Sequence, residues 1–125
     1  MKALTSIPIN IWDDYYEEGH IPEGEKQETF IYVEDDGISA EIRKEYLEKL
    51  LDYIDKNLKL EGVKSWLHFY DSKTKYPTLE DRYNFRRWEI RIENLTHKRR
   101  EKLLDELKNA NLSMNGVPFE IYSES

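Results

Sequence analysis

The chain of 125 residues has the size of one domain, for which folding buries roughly two-thirds of the surface of the unfolded chain. Aromatic residues make up 13% and charged residues 36%, a composition that argues against intrinsic disorder, and the absence of cysteine excludes disulfides, thiolate zinc sites and cysteine nucleophiles. The net charge of -7 disfavours non-specific binding to nucleic acid and favours a cationic partner.

The N-terminal segment, residues 1–28, is predicted to be an acidic and aromatic arm in front of an α+β core of residues 29–125, both within a single domain 1–125. Ile7, Ile9 and Ile11 alternate with other residues as they would in a strand, and the arm is too apolar to remain free in water. We therefore expect the arm to dock on the core or to add an edge strand. Residues 1–36 contain ten acidic residues and two lysines, a net charge of -8.

The core is predicted to begin with a strand and a long helix. Residues 29–34, TFIYVE, are β-branched and aromatic, as is typical of a strand, and a turn follows. Ser39 is a good N-cap and Gly62 a plausible stop for a helix between them. The apolar residues of this span recur at steps of three and four, which predicts one buried helical face: Ile42, Tyr46, Leu47, Leu50, Leu51, Ile54 and Leu58.

Two further strands are predicted after this helix. The second strand is Ser65–Asp71, SWLHFYD, and a polar loop with a short helical turn at 78–83 leads to a third strand at 85–93. The third strand shows strict alternation, which indicates a sheet with one buried face. Its core side is predicted to consist of Trp88, Ile90 and Ile92, and its other side of Arg87, Glu89 and Arg91.

The last elements complete an α+β arrangement. Thr96 is suited to cap a second helix, and Asn115 with Gly116 predicts a tight turn before a final strand at 119–122. The order β-α-β-β-α-β is that of the ferredoxin-like split sandwich. We therefore predict an antiparallel sheet with two helices on one of its faces.

The other face of this sheet is predicted to expose aromatic and charged side chains. If Ile31 and Val33 face the helices, the alternation of side chains along each strand turns their neighbours away from the core. Such a surface favours a partner, unless the arm itself covers it. Its predicted members are Phe30, Tyr32, Trp66, His68, Tyr70, Arg87, Glu89, Arg91, Glu120 and Tyr122.

The stretch WDDYYEEGH combines carboxylates with aromatic residues and supports two interpretations. As a binding arm it offers acids for lysine and arginine and aromatic anchors typical of interfaces, namely Trp12, Asp13, Asp14, Tyr15, Tyr16, Glu17 and Glu18. As a calcium or magnesium site it would use Asp13, Asp14, Glu17, Glu18 and His20. Because the spacing of an EF-hand loop is absent, we predict no metal and no cofactor.

Three functional hypotheses follow. The first is a non-enzymatic module that binds a basic protein through the arm and the helix-free sheet face, by compositional analogy with small acidic inhibitor or immunity-type proteins. The second is binding of single-stranded RNA, with bases stacked on the aromatic residues of that face. The residues for RNA would be Phe30, Tyr32, Trp66, Tyr70, Arg87 and Arg91.

The third hypothesis is a small-molecule enzyme with a cleft between arm and sheet. His20, His68 and His97 lie far apart and match no known catalytic motif, so an enzyme is the weaker expectation. No apolar run approaches the roughly 20 residues that span a bilayer, and the first eight residues lack the apolar stretch of a secretory signal. We therefore expect a cytoplasmic protein that contacts no membrane.

Overall fold

A computed structural model describes residues 5–13, 26–34, 37–58, 62–71 and 86–124. These residues form six strands and two α-helices, the first of which continues as a π-helix at Ile54–Leu58. In chain order the elements are β1 (Ile7–Asp13), β2 (Lys26–Val33), α1 (Ala40–Tyr53), β3 (Ser65–Asp71), β4 (Arg86–Thr96), α2 (His97–Asn109), β5 (Ser113–Met114) and β6 (Val117–Glu124).

The six strands form one mixed sheet in the order β3-β4-β2-β1-β6-β5. The pair β1–β6 is parallel and the other neighbouring strands are antiparallel. The α+β class is therefore confirmed. The ferredoxin-like arrangement is not confirmed, because the sheet is mixed and its strand order differs from that prediction.

The largest difference from the sequence-based expectation concerns β1. It is a strand, as the alternating isoleucines indicate, but it lies inside the sheet between β2 and β6. These residues pack into the domain, but the prediction of an edge strand is wrong for them. The physical reason is burial, since Ile7, Ile9 and Ile11 are fully enclosed, and an interior position also satisfies the backbone hydrogen bonds on both sides of the strand.

One hydrophobic core fills the space between the sheet and both helices. Every second side chain of the strands points into this core, and each helix contributes one face to it. Helices α1 and α2 therefore cover the same side of the sheet. The predicted core residues Ile90 and Ile92 are fully buried, and Trp88 is half-buried against the core. The fully enclosed residues include Ile7, Ile9, Ile11, Ile31, Leu47, Leu50, Ile90, Ile92 and Leu95.

Helix α1 begins where its cap predicts. The Ser39 hydroxyl accepts a hydrogen bond from the backbone N–H of Ile42 at 3.3 Å, which satisfies one of the free donors of the first turn. The α-helical geometry ends at Tyr53 and a π-helical turn follows. Gly62 has a φ of 71°, a left-handed value that suits the glycine predicted as the stop, while residues 59–61 lie outside the described part of the chain.

Strand β4 is longer than predicted because it contains a β-bulge. Gln27 pairs with Leu95 and Thr29 with Ile92, so two residues of β4 lie opposite one residue of β2. Asn94 occupies the bulge with a φ of 61°. The extra residue reverses the alternation, and Leu95 is thereby buried in the core.

The second helix and the last hairpin agree with their local signals. Thr96 caps α2 by accepting a hydrogen bond from the N–H of Arg99 at 3.3 Å. Asn115 and Gly116 form a two-residue turn with φ values of 53° and 80°, both left-handed, as the tightest antiparallel hairpins require. Neither helix of the described residues has the length and apolarity needed to cross a bilayer. The short helical turn predicted at 78–83 lies outside the described residues.

Candidate functional site

The sheet surface opposite the helices brings together residues from five strands, and we call it the helix-free face. The registers align Trp66, His68 and Tyr70 of β3 with three residues of β4, and align further residues of β4 with β2 and of β2 with β1. The face therefore consists of Asn10, Trp12, Glu28, Phe30, Tyr32, Trp66, His68, Tyr70, Arg87, Glu89, Arg91, Glu93, Glu120 and Tyr122.

The centre of this face is a line of charges along β4. Residues 87, 89 and 91 point the same way because strand side chains alternate. Arg87 Nε lies 3.9 Å from Glu89 Oε1, and Arg91 Nε lies 3.6 Å from Glu89 Oε2. Glu89 is only 1% exposed, whereas both arginines are half-buried. The carboxylate is thus enclosed between two guanidinium groups.

The environment shifts the pKa of two groups at this centre. Burial raises the pKa of Glu89, against the opposing charges of Arg87 and Arg91, and the Glu28 carboxylate raises it further. Burial, followed by the charge of Arg91, lowers the pKa of His68, which is aligned with Glu89 on the neighbouring strand. His68 is therefore neutral at physiological pH, and the two arginines supply the positive charge of the centre.

The arginines also stack on aromatic rings. The guanidinium carbon of Arg87 lies 3.9 Å from the ring centre of Tyr32 and 6.0 Å from that of Tyr70. The guanidinium carbon of Arg91 lies 5.1 Å from the ring centre of Phe30. The ring centres of Phe30 and Trp12 are 5.4 Å apart. These distances are those of cation–π and aromatic contacts, so the side chains support one another laterally.

This stacking corrects two expectations from the sequence. Phe30 and Glu89 lie on the helix-free face, as alternation predicts, but they are buried and not exposed, at 6% and 1%. Alternation determines the face on which a side chain lies but not how much its neighbours cover it. Here Arg91 and Trp12 pack around Phe30, and the two arginines enclose Glu89.

Asn10 is a member of this face that the sequence did not reveal. It is fully buried, and its side-chain amide donates a hydrogen bond of 2.8 Å to the hydroxyl of Tyr32. Within the described residues, no hydrogen bond to Asn10 Oδ1 or Glu89 Oε2 is found. The alternation of Ile9, Asn10 and Ile11 predicts that Asn10 faces solvent, so no sequence signal indicated its burial.

One end of the face carries exposed carboxylates, and we call Glu34, Glu120 and Tyr122 the acidic corner. Hydrogen bonds from the hydroxyls of Tyr122 and Ser6 lower the pKa of Glu120, and the Ser6 bond measures 2.9 Å. The same bond to Glu120 raises the pKa of Tyr122, and the Glu34 carboxylate adds to this effect. The corner therefore presents an ionised, oriented carboxylate beside an aromatic ring that is 44% exposed.

The structure describes part of the predicted binding arm. Trp12 lies on the helix-free face, and the backbone of Asp13 ends β1. The remaining predicted residues of the arm lie outside the described part of the chain, and so does the hypothetical metal site: Asp14, Tyr15, Tyr16, Glu17, Glu18 and His20. Among the described residues, no three His, Asp or Glu side chains approach one another closely enough to hold a metal ion.

Comparison with known protein families, with curated proteins and with solved structures finds no match to this chain. Its function is therefore inferred from the chemistry of its own surfaces.

Proposed function

We propose that this domain is a non-enzymatic protein-binding module and that its helix-free face binds a basic protein. The observation that supports this most directly is the arrangement of charge on the face. The central arginines are paired with Glu89 and stacked on aromatic rings. The other carboxylates of the face and the acidic corner are half-buried or exposed: Glu28, Glu34, Glu93 and Glu120. A partner would therefore meet an aromatic–arginine centre inside an acidic border.

The charge count favours a cationic partner. The described side chains of the face and the acidic corner include two arginines and five glutamates, a formal net charge of -3. Complementary charge mainly accelerates association and selects the partner. The acids of the proposed arm, Asp13, Asp14, Glu17 and Glu18, would add to the same field.

The centre of the face has the composition of an interaction hot spot. Trp, Tyr and Arg are the residues that contribute most to protein interfaces, and Trp12, Tyr32 and Arg87 are all present here. Because each of them already packs against a neighbour, little side-chain entropy is lost when a partner binds. An inhibitor or immunity-type role would be one form of this activity, and we propose a cytoplasmic location for it.

Binding of single-stranded RNA has less support from the same geometry. Base stacking needs an open ring face, but Phe30 is buried and the ring of Tyr32 lies under the Arg87 guanidinium. Trp66 and Tyr70 are half-buried, and cationic groups lie near them too, with Lys64 Nζ 5.1 Å from the Trp66 ring centre and the Arg87 guanidinium 6.0 Å from that of Tyr70. A direct RNA-binding measurement distinguishes this alternative from binding of a basic protein.

Site-specific photo-crosslinking tests the proposal. A benzophenone amino acid replaces Tyr122 in one variant and Ile42 in another, since the two positions are 44% and 43% exposed and only Tyr122 belongs to the helix-free face. In an extract of the source cells we expect the probe at 122, but not the probe at 42, to capture a protein with a basic isoelectric point. Equal capture at both positions, or capture of acidic proteins, would contradict the proposal.

A charge-reversal variant and an RNA probe complete the experiment. Glu34→Lys with Glu120→Lys should abolish capture at position 122 and leave the circular dichroism spectrum unchanged, because Glu120 is an exposed residue. A fluorescent single-stranded RNA oligonucleotide is titrated in parallel. If it binds tightly and Trp66→Ala with Tyr70→Ala weakens it, the RNA hypothesis replaces ours.

A further inference from the structure

Strand β3 forms one border of the sheet. Within the described residues it pairs with β4 alone. Edge strands are commonly protected by lysine, proline or a bulge, because their free N–H and C=O groups can pair with another chain. The sequence of β3, SWLHFYD, contains neither lysine nor proline, and its pairing with β4 runs without a bulge. No strand of the described residues therefore occupies this border.

The register shows which backbone groups point outward. The N–H of Glu93 donates to the carbonyl oxygen of Lys64 at 2.9 Å, so these two residues form a hydrogen-bonded pair just before β3. In antiparallel sheets such pairs alternate with pairs that are not hydrogen-bonded. Trp66, His68 and Tyr70 consequently direct their N–H and C=O groups to β4. Leu67 and Phe69 direct theirs to the open border.

A cleft of about 450 Å³ lies beside this border, between β3 and α1. Two leucines, three carboxylates and one lysine line it: Lys44, Glu48, Leu51, Asp52, Asp55 and Leu67. Lys44 forms a cation–π contact with Trp88, with Nζ 4.6 Å from the ring centre. Three carboxylates and Lys44 give the lining residues a formal charge of -2, and Lys56, which pairs with Asp52 at 3.1 Å, reduces the charge at the cleft to -1. Phe69 continues the apolar surface along the strand and is exposed.

We propose that β3 accepts an extended segment of a cationic protein chain as an additional antiparallel strand, and that a lysine or arginine of this segment enters the cleft. A residue opposite Leu67 in the added strand would have its side chain on the helix side of the sheet, since directly paired residues share a face. Its methylene groups would lie on Leu51 and Leu67, and its charge would reach the acidic walls.

The charge of the cleft identifies the occupant. Two copies of this chain paired through β3 would bring two clefts of the same charge together, and β3 itself contains no lysine or arginine to offset them. A basic segment removes this repulsion. The surface is separate from the helix-free face, and the inference does not depend on the function proposed for that face.

Defined peptides test this proposal on the full chain. The probe is a fluorescent peptide in which valine and lysine alternate, VKVKVKV, and the acidic control is VEVEVEV. We expect the lysine peptide to bind and to shift the amide NMR signals of Leu67 and Phe69, while the acidic peptide does not bind. In this pairing the lysines of the peptide lie opposite Leu67 and Phe69, so their backbone N–H groups donate to the carbonyl oxygens of β3, while those of the valines point away. Methylation of the lysine backbone nitrogens should therefore abolish binding, and methylation of the valine backbone nitrogens should not.

Variants of the chain separate the backbone contribution from the charge contribution. Phe69→Pro removes an outward N–H that the sheet does not use and should abolish binding, whereas Phe69→Ala retains this N–H and should bind. Glu48→Lys with Asp52→Lys should weaken binding by about fivefold or more, and Glu45→Lys on the same helix but outside the cleft should change it little.

The opposite results overturn the proposal. They are failure of the lysine peptide to bind, equal binding of both peptides, or insensitivity to Phe69→Pro. A dimer of the chain that Phe69→Pro dissociates would show that a second copy occupies the border.

Discussion

The carboxylate of Glu89 lies between two arginines, yet its pKa is raised above the ordinary glutamate value. The charges of Arg87 and Arg91 and a side-chain hydrogen bond from Arg91 lower the pKa of Glu89, but the effect of burial is larger. Burial therefore dominates and raises the pKa of Glu89. The stability of the folded protein should therefore depend on the protonation of Glu89.

We expect the variant Glu89→Gln to gain stability relative to the wild type as the pH rises. The raised pKa means that the folded protein holds the Glu89 proton more tightly than the unfolded chain does. Between the ordinary glutamate pKa of 4.5 and the raised value, the free energy of unfolding of the wild type falls with increasing pH. Glutamine lacks this dependence. Urea unfolding of both proteins from about pH 4 to about pH 8 measures the difference.

Glu93→Gln provides the control, since it removes one negative charge from the same strand at a half-buried position. A wild type that gains stability over Glu89→Gln as the pH rises would mean that the arginines lower the pKa of Glu89, contrary to our assignment.

At the scale of single elements, the β-bulge of β4 decides which residues reach the core. Without it, the alternation that buries Ile90 and Ile92 would place Asn94 in the core and Leu95 on the helix-free face. The bulge instead leaves Asn94 exposed and buries Leu95. Thr96, the N-cap of α2, follows directly. The left-handed backbone of Asn94 is therefore a condition for the packing of this end of the sheet.

Substitutions of Asn94 test this role. We expect Asn94→Ala to destabilise the protein by about 1 kcal/mol, because a side chain with a β-carbon is strained at a φ of 61° and alanine lacks the local polar contacts available to asparagine. Asn94→Gly should be close to neutral. Thermal and urea unfolding measure both changes. Equal stability of the two variants would show that the left-handed conformation is not required here.

At the scale of the whole molecule, β1 joins two parts of the sheet. It pairs with β2 on one side and with β6 on the other, and its three isoleucines belong to the common core. The strands β3, β4 and β2 on one side are therefore connected to the β5–β6 hairpin through this strand. Its removal would expose two interior strand borders and a large part of the core.

We expect a chain that begins at Gln27 to lose cooperative thermal unfolding and its near-ultraviolet circular dichroism. A synthetic peptide of residues 1–26 should restore both, since it supplies β1. The full chain with Ile9→Val is the control and should lose only about 0.5–1.5 kcal/mol. A truncated chain with an unchanged melting temperature would contradict the interior placement of β1.

The sequence by itself determined the features that depend on neighbouring residues. Ser39 and Thr96 start the two helices because an N-cap acts on the N–H groups of its own first turn. Asn115 and Gly116 form the predicted turn because few residues adopt a left-handed backbone readily. Strand β3 has the predicted bounds, Ser65–Asp71, since turn-forming and polar residues border an aromatic run.

Only the tertiary structure decided which strands become neighbours and which side chains are covered. The alternation of Ile7, Ile9 and Ile11 indicates a strand, but an interior strand and an edge strand can have the same local pattern. The interior position of β1 is determined by its pairing with β2 and β6. Burial of Glu89 likewise depends on long side chains that reach over it from neighbouring positions of the folded sheet. Pairing and coverage are long-range properties, and the alternation of a strand contains no information about its partner.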